Sequence, residues 1–67
     1  MNQDKVGEFI TELRKEKGLT QSQLAEHFGI SNKAVSKWEN GRSLPDASIM
    51  IDLCNFLGIT VNELLSG

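Results

Sequence analysis

The apolar residues of this 67-residue chain recur in groups at helical spacing, and glycines punctuate the groups. In the first group Val6, Phe9, Ile10 and Leu13 fall at i, i+3, i+4 and i+7, one stripe of a 3.6-residue period. Lys15 and Lys17 sit in its last turn, where the helix dipole favours cations. Gly18 then fits the left-handed position just past a helix end. A second helix opens at Thr20, with Gln23 three residues later completing a capping box, and its apolar face is Leu24, Ala25 and Phe28. Gly29 ends it, and Ser31 caps a third helix whose inward residues are Ala34, Val35 and Trp38. Only Gly29 and Ile30 separate the two helices, so they must cross sharply and share a face.

After Asn40-Gly41, the polar loop from Arg42 to Asp46 leads to a Pro45-Asp46 start signal for a fourth helix running to about Leu57. Met50, Leu53, Cys54 and Leu57 form its inner stripe, widened by Ile49 and Phe56. Thr60 with Glu63 gives a second capping box and a short fifth helix over Val61 to Leu65. Leu19, Ile30 and Ile59, each just before a cap, are placed to pack on Leu24, Val35 and Leu64. No segment alternates with period two long enough to be a strand. The expected fold is all-α, a compact five-helix bundle forming one domain over residues 1–67, with a helix-turn-helix at about 20–40.

Composition narrows this picture. With 39% hydrophobic and 24% charged residues the chain is an ordinary globular sequence. The lone cysteine, Cys54, cannot form an internal bridge, which makes a reducing cytoplasm the default compartment. The longest unbroken apolar stretch is Ile49 to Ile51, so neither a membrane span nor a signal peptide is expected. The end at Ser66-Gly67, just past the fifth helix, fits the N-terminal part of a longer protein. The net charge of −2 argues against nucleic acid as a partner when taken whole, because DNA-binding domains are usually basic.

The residues from Gln21 to Asn40 nevertheless resemble a helix-turn-helix, closest to the lambda-repressor-like, Xre-type family of DNA-binding domains. The resemblance is carried by Leu19-Thr20-Gln21, Leu24-Ala25, Phe28-Gly29-Ile30-Ser31, Val35-Ser36 and Trp38-Glu39-Asn40-Gly41. It continues through Leu44-Pro45, Leu57-Gly58-Ile59 and Glu63-Leu64-Leu65, covering about residues 5 to 65. It implies a sequence-specific binder of double-stranded DNA, most simply a bacterial or phage-type repressor that occludes a promoter and acts at the nucleoid. It also implies a phosphate-contacting Gln21 and an ion pair between Arg14 and Glu39 that ties helix three to helix one. Cys54 occupies a core position where the family often has a small residue.

The base-reading face follows from a helical wheel without the family. On helix three Ala34, Val35 and Trp38 share one arc, and Asn32, Lys33, Ser36, Lys37 and Asn40 hold the opposite one. A recognition helix presents its N-terminal part to the bases, which nominates Asn32, Lys33, Ser36 and Lys37 as readers. Lysine donates to guanine O6 and N7 and asparagine bonds adenine N6 and N7, so a site containing G and A is favoured. Gln21 stands at the start of helix two, where free N–H groups and the dipole attract a phosphate. Asn40, Arg42 and Ser43 would flank neighbouring phosphates, with Lys17 as an outer contact.

Charge divides along the chain accordingly. Residues 14–42 carry Arg14, Lys15, Lys17, Lys33, Lys37 and Arg42 against Glu16, Glu26 and Glu39, an excess of +3, and the remainder totals −5. Trp38, on the apolar arc, is expected in the core rather than stacked on bases. His27 stands alone on the polar side of helix two without metal-ligand spacing, and no metal, cofactor or catalytic constellation is expected. Ile49, Phe56, Ile59 and Leu65, with Ile51 apart from the inner stripe, outline a seam for a weak homodimer. The alternative is a protein-interaction module, such as an antitoxin-like or coactivator-like relative of the same fold, and Lys33, Lys37 and Arg42 are the residues that decide between them.

Overall fold

Side-chain caps and glycine stops set the limits of the helices. The computed structural model describes residues 2–66 as five helices: α1 Gln3–Glu16, α2 Gln21–Phe28, α3 Asn32–Glu39, α4 Ala47–Leu57 and α5 Val61–Ser66. Met1 and Gly67, and with Gly67 the expectation drawn from the chain's end, lie outside the described residues. The Thr20 hydroxyl accepts from the Gln23 N–H at 3.1 Å while Gln23 Oε1 accepts from the Thr20 N–H at 2.9 Å. Thr60 and Glu63 repeat the exchange at 3.0 and 2.8 Å. Ser31 caps α3 through the Ala34 N–H at 3.2 Å, and Asp46 caps α4 through the Ile49 N–H at 3.3 Å. Helix α1 begins ahead of its apolar stripe because Asn2 Oδ1 accepts from the Asp4 and Lys5 N–H groups, at 2.9 and 3.3 Å.

The turn between α2 and α3 depends on Gly29, whose φ of 66° is left-handed and costs a glycine little. There the Ile30 N–H reaches the Ala25 carbonyl at 3.0 Å and the Gly29 N–H reaches that of Glu26 at 3.2 Å, satisfying two carbonyls left over at the helix end. The same pair of bonds closes α1, α3 and α4.

All five helices contribute to one core: Val6 and Ile10, Leu24 and Ala25, Val35 and Trp38, Leu53, Cys54 and Leu57, and Leu64. Leu19, Ile30 and Ile59 pack against it from just before their caps. Helix α3 packs most extensively on α1 and α2, while α5 bridges α1 and α4. At one point α1 meets α3 backbone to backbone. A methyl group on Gly7 would collide with the Trp38 carbonyl oxygen and come within 2.7 Å of that of Glu39. The polar loop after α3 is docked on the bundle: Pro45 is buried and Ser43 and Leu44 are half-buried.

Candidate nucleic-acid interface

Burying Val35 and Trp38 turns the other arc of α3 outward. Asn32, Lys33 and Lys37 are exposed there, and Ser36 is half-buried beside them. Asn40 is exposed at the end of the helix, and its side-chain N–H donates to the Ser36 hydroxyl at 3.2 Å, so these two form a unit. Arg42 is exposed just beyond. Among the described residues the salt bridge found joins Arg14 to Glu39, which leaves the charges of Lys33, Lys37 and Arg42 unpaired on one side of the molecule.

That salt bridge is the centre of a polar hub. Arg14 Nε donates to Glu39 Oε2 at 2.7 Å and Nη2 to Oε1 at 3.1 Å, a bidentate pair, while Nη1 donates to the Leu19 carbonyl at 2.7 Å. Gln21 Nε2 adds a bond to Glu39 Oε1 at 2.9 Å. One carboxylate at the end of α3 is thereby tied to α1 and to the first residue of α2. Burial pushes the Glu39 pKa up, but the hydrogen bonds from Arg14 and Gln21, with the Arg14 charge, outweigh it and hold the pKa below the usual value. Glu39 therefore presents no free charge to a ligand outside α3.

The hub also changes what Gln21 can offer. One N–H of its side-chain amide is committed to Glu39, which leaves its second N–H and the N1 and N2 backbone N–H groups of α2, without intrahelical partners, to hold an anion. Lys17 is turned toward α4, its ammonium 5.0 Å from the centre of the Phe56 ring. His27 is not alone. Its ring stacks on Phe56 at 4.0 Å with 28° between planes and meets Phe28 edge-on at 4.8 Å. This cluster escapes a sequence reading because its members come from two separate helices, α2 and α4. Ile49, Phe56, Ile59 and Leu65 are all half-buried against the core, and among the described residues the large hydrophobic one that stands exposed is Ile51, at 58%. The Cys54 thiol is buried, and burial followed by the Glu63 charge pushes its pKa up. No group of His, Cys, Asp and Glu among the described residues is arranged to hold a metal ion, and no helix there is long and apolar enough to cross a membrane.

Two helices joined by a tight turn, the second polar outward and anchored from behind, define a helix-turn-helix domain. The chain matches the helix-turn-helix family model over residues 10–64, and it belongs to that family. It is 43% identical over 60 residues to the HTH-type transcriptional activator BcrR of Enterococcus faecalis, covering 90% of this chain and 29% of BcrR. It is 33% identical over 60 residues to RstR, a cryptic phage CTXphi transcriptional repressor of Vibrio cholerae, covering 90% of this chain and 54% of RstR. Among solved structures it resembles the restriction-modification controller protein C.AhdI of Aeromonas hydrophila, with a TM-score of 0.78, 33% identity, and coverage of 91% of this chain and 92% of that one. The chain thus spans about half or less of the length of these two curated relatives.

Proposed function

We propose that this domain binds double-stranded DNA sequence-specifically as part of a transcriptional regulator, with α3 in the major groove. The observation that carries the reading is the outward arc of α3, where Lys33 and Lys37 stand exposed and unpaired beside Asn32 and Ser36. These four are the base readers, and with two lysines and an asparagine among them the site contains G and A. The N-terminus of α2 at Gln21, together with Asn40, Arg42 and Ser43, holds the flanking phosphates, and Lys17 reaches an outer phosphate only by leaving Phe56. Relatives are named both activator and repressor. Repression by occlusion is the simplest mechanism, and the position of the operator relative to the promoter sets the sign. A weak homodimer through α4 and α5, with Ile51 beside Ile49, Phe56, Ile59 and Leu65, would set two recognition helices about 34 Å apart, at successive major grooves. The chain spans only part of the length of its curated relatives, in keeping with one domain of a longer, cytoplasmic regulator acting at the nucleoid.

Lys37→Ala tests the assignment. If Lys37 contacts a guanine, the variant loses about 1 to 3 kcal/mol on the preferred duplex and discriminates less at one base pair. Titration against a panel of single-base variants measures this. An equal loss on every duplex makes Lys37 a phosphate contact, and no loss on any removes it from the interface.

A further inference from the structure

Asp4, in the first turn of α1, is 37 residues in sequence from Gly41 but touches it in space. A methyl group on Gly41 would collide with the Asp4 carboxylate and come within 3.1 Å of the Asp4 Cα. The contact arises because Gly7, one turn further along α1, lets the two backbones close on each other at the last turn of α3. Asp4 is exposed and, among the described residues, forms no salt bridge. Nor is the carboxylate satisfied by the loop's backbone: the Gly41 N–H is bonded to the Trp38 carbonyl at 3.2 Å and the Arg42 N–H to that of Lys37 at 2.9 Å. An unneutralised negative charge therefore stands against the segment Asn40 to Ser43, at the negative end of the α3 dipole.

We infer that Asp4 is an electrostatic brake on DNA binding, repelling the phosphates that Asn40, Arg42 and Ser43 would hold. The inference rests on the DNA-binding reading above. Asp4 meets the loop at Gly41 and, among the described residues, makes no hydrogen bond or salt bridge to a base-reading side chain, so the brake lowers affinity for all duplexes alike and leaves sequence preference unchanged. A charge within roughly a Debye length of the phosphates, about 10 Å at 0.1 M salt, acts strongly at low salt and fades as salt rises. Asp4 also favours its own helix, since an acidic residue in the first turn complements the dipole. Removing the charge should therefore weaken the fold slightly while strengthening binding, a pair of opposite signs that a purely structural role does not produce.

The test is titration of one labelled duplex and its scrambled counterpart, at 50 and 300 mM salt, with the wild-type chain, Asp4→Asn and Asp52→Asn. Asp52 is an exposed carboxylate on α4, and its substitution changes net charge equally. We expect Asp4→Asn to bind both duplexes about three- to tenfold more tightly at the lower salt, the factor for charges about 10 Å apart near a protein surface after screening by salt. The gain should shrink at the higher salt, and Asp52→Asn should show less of it. An Asp4→Asn affinity equal to that of Asp52→Asn, or below wild type, overturns the brake with DNA binding intact. Absence of binding by all three proteins overturns the DNA reading and the brake with it.

Discussion

Glu39 lies on α3, the helix assigned to DNA, where a free carboxylate would repel phosphate. Its side chain is instead 4% exposed and neutralised by Arg14, whose side chain is 11% exposed. Removing one partner of an enclosed pair strands the other, so Glu39→Ala should cost about 3 kcal/mol of unfolding free energy near pH 7. The folded pKa is depressed, so the contribution is fully present above the unfolded glutamate value of about 4.3 and is lost as pH falls through the lower folded value. The gap between the denaturant midpoints of wild type and variant should therefore narrow as pH falls below the unfolded glutamate value. A gap that stays constant down to pH 3 would show that the carboxylate contributes through packing alone.

At the scale of helices, two glycines make opposite demands. Gly29 has open space around its Cα but a left-handed backbone, so Gly29→Ala should cost about 1 kcal/mol, the strain of placing a Cβ there. Gly7 lies within a helix, where alanine ordinarily gains about 1 kcal/mol. Here the added methyl meets the Trp38 carbonyl, so Gly7→Ala should lower stability by about 2 kcal/mol as α1 is pushed off α3. A raised denaturation midpoint for Gly7→Ala would mean that α1 and α3 do not meet as described. The contrast also shows what was legible in the sequence. Caps, stops and the inward and outward arcs of α3 were readable because each depends on residues a few positions apart. Gly7 against Trp38, Asp4 against Gly41 and His27 on Phe56 were not, because each joins separate elements whose relative placement no local pattern encodes. Gln21 illustrates the boundary between the two. Its place at the helix start was evident, but the diversion of its amide to Glu39 required the fold.

For the whole molecule the net charge of −2 remains, and its distribution decides what it means. Arg14 is consumed by Glu39 and Lys17 leans on Phe56, leaving Lys33, Lys37 and Arg42 as the exposed cations of the proposed interface. So few phosphate contacts per copy, with Asp4 opposing them, give weak binding by one domain, with a salt dependence only as steep as those few contacts make it. Two linked copies or a further segment would supply tight binding. The central claim is that α3 selects among DNA sequences, and the most direct test is to pass a pool of random duplexes over the immobilised chain at low salt and sequence what is retained. A short motif rich in G and A should emerge, with Lys37→Ala losing selection at one of its positions. Retained duplexes as random as the starting pool, from a chain that remains folded, would contradict it.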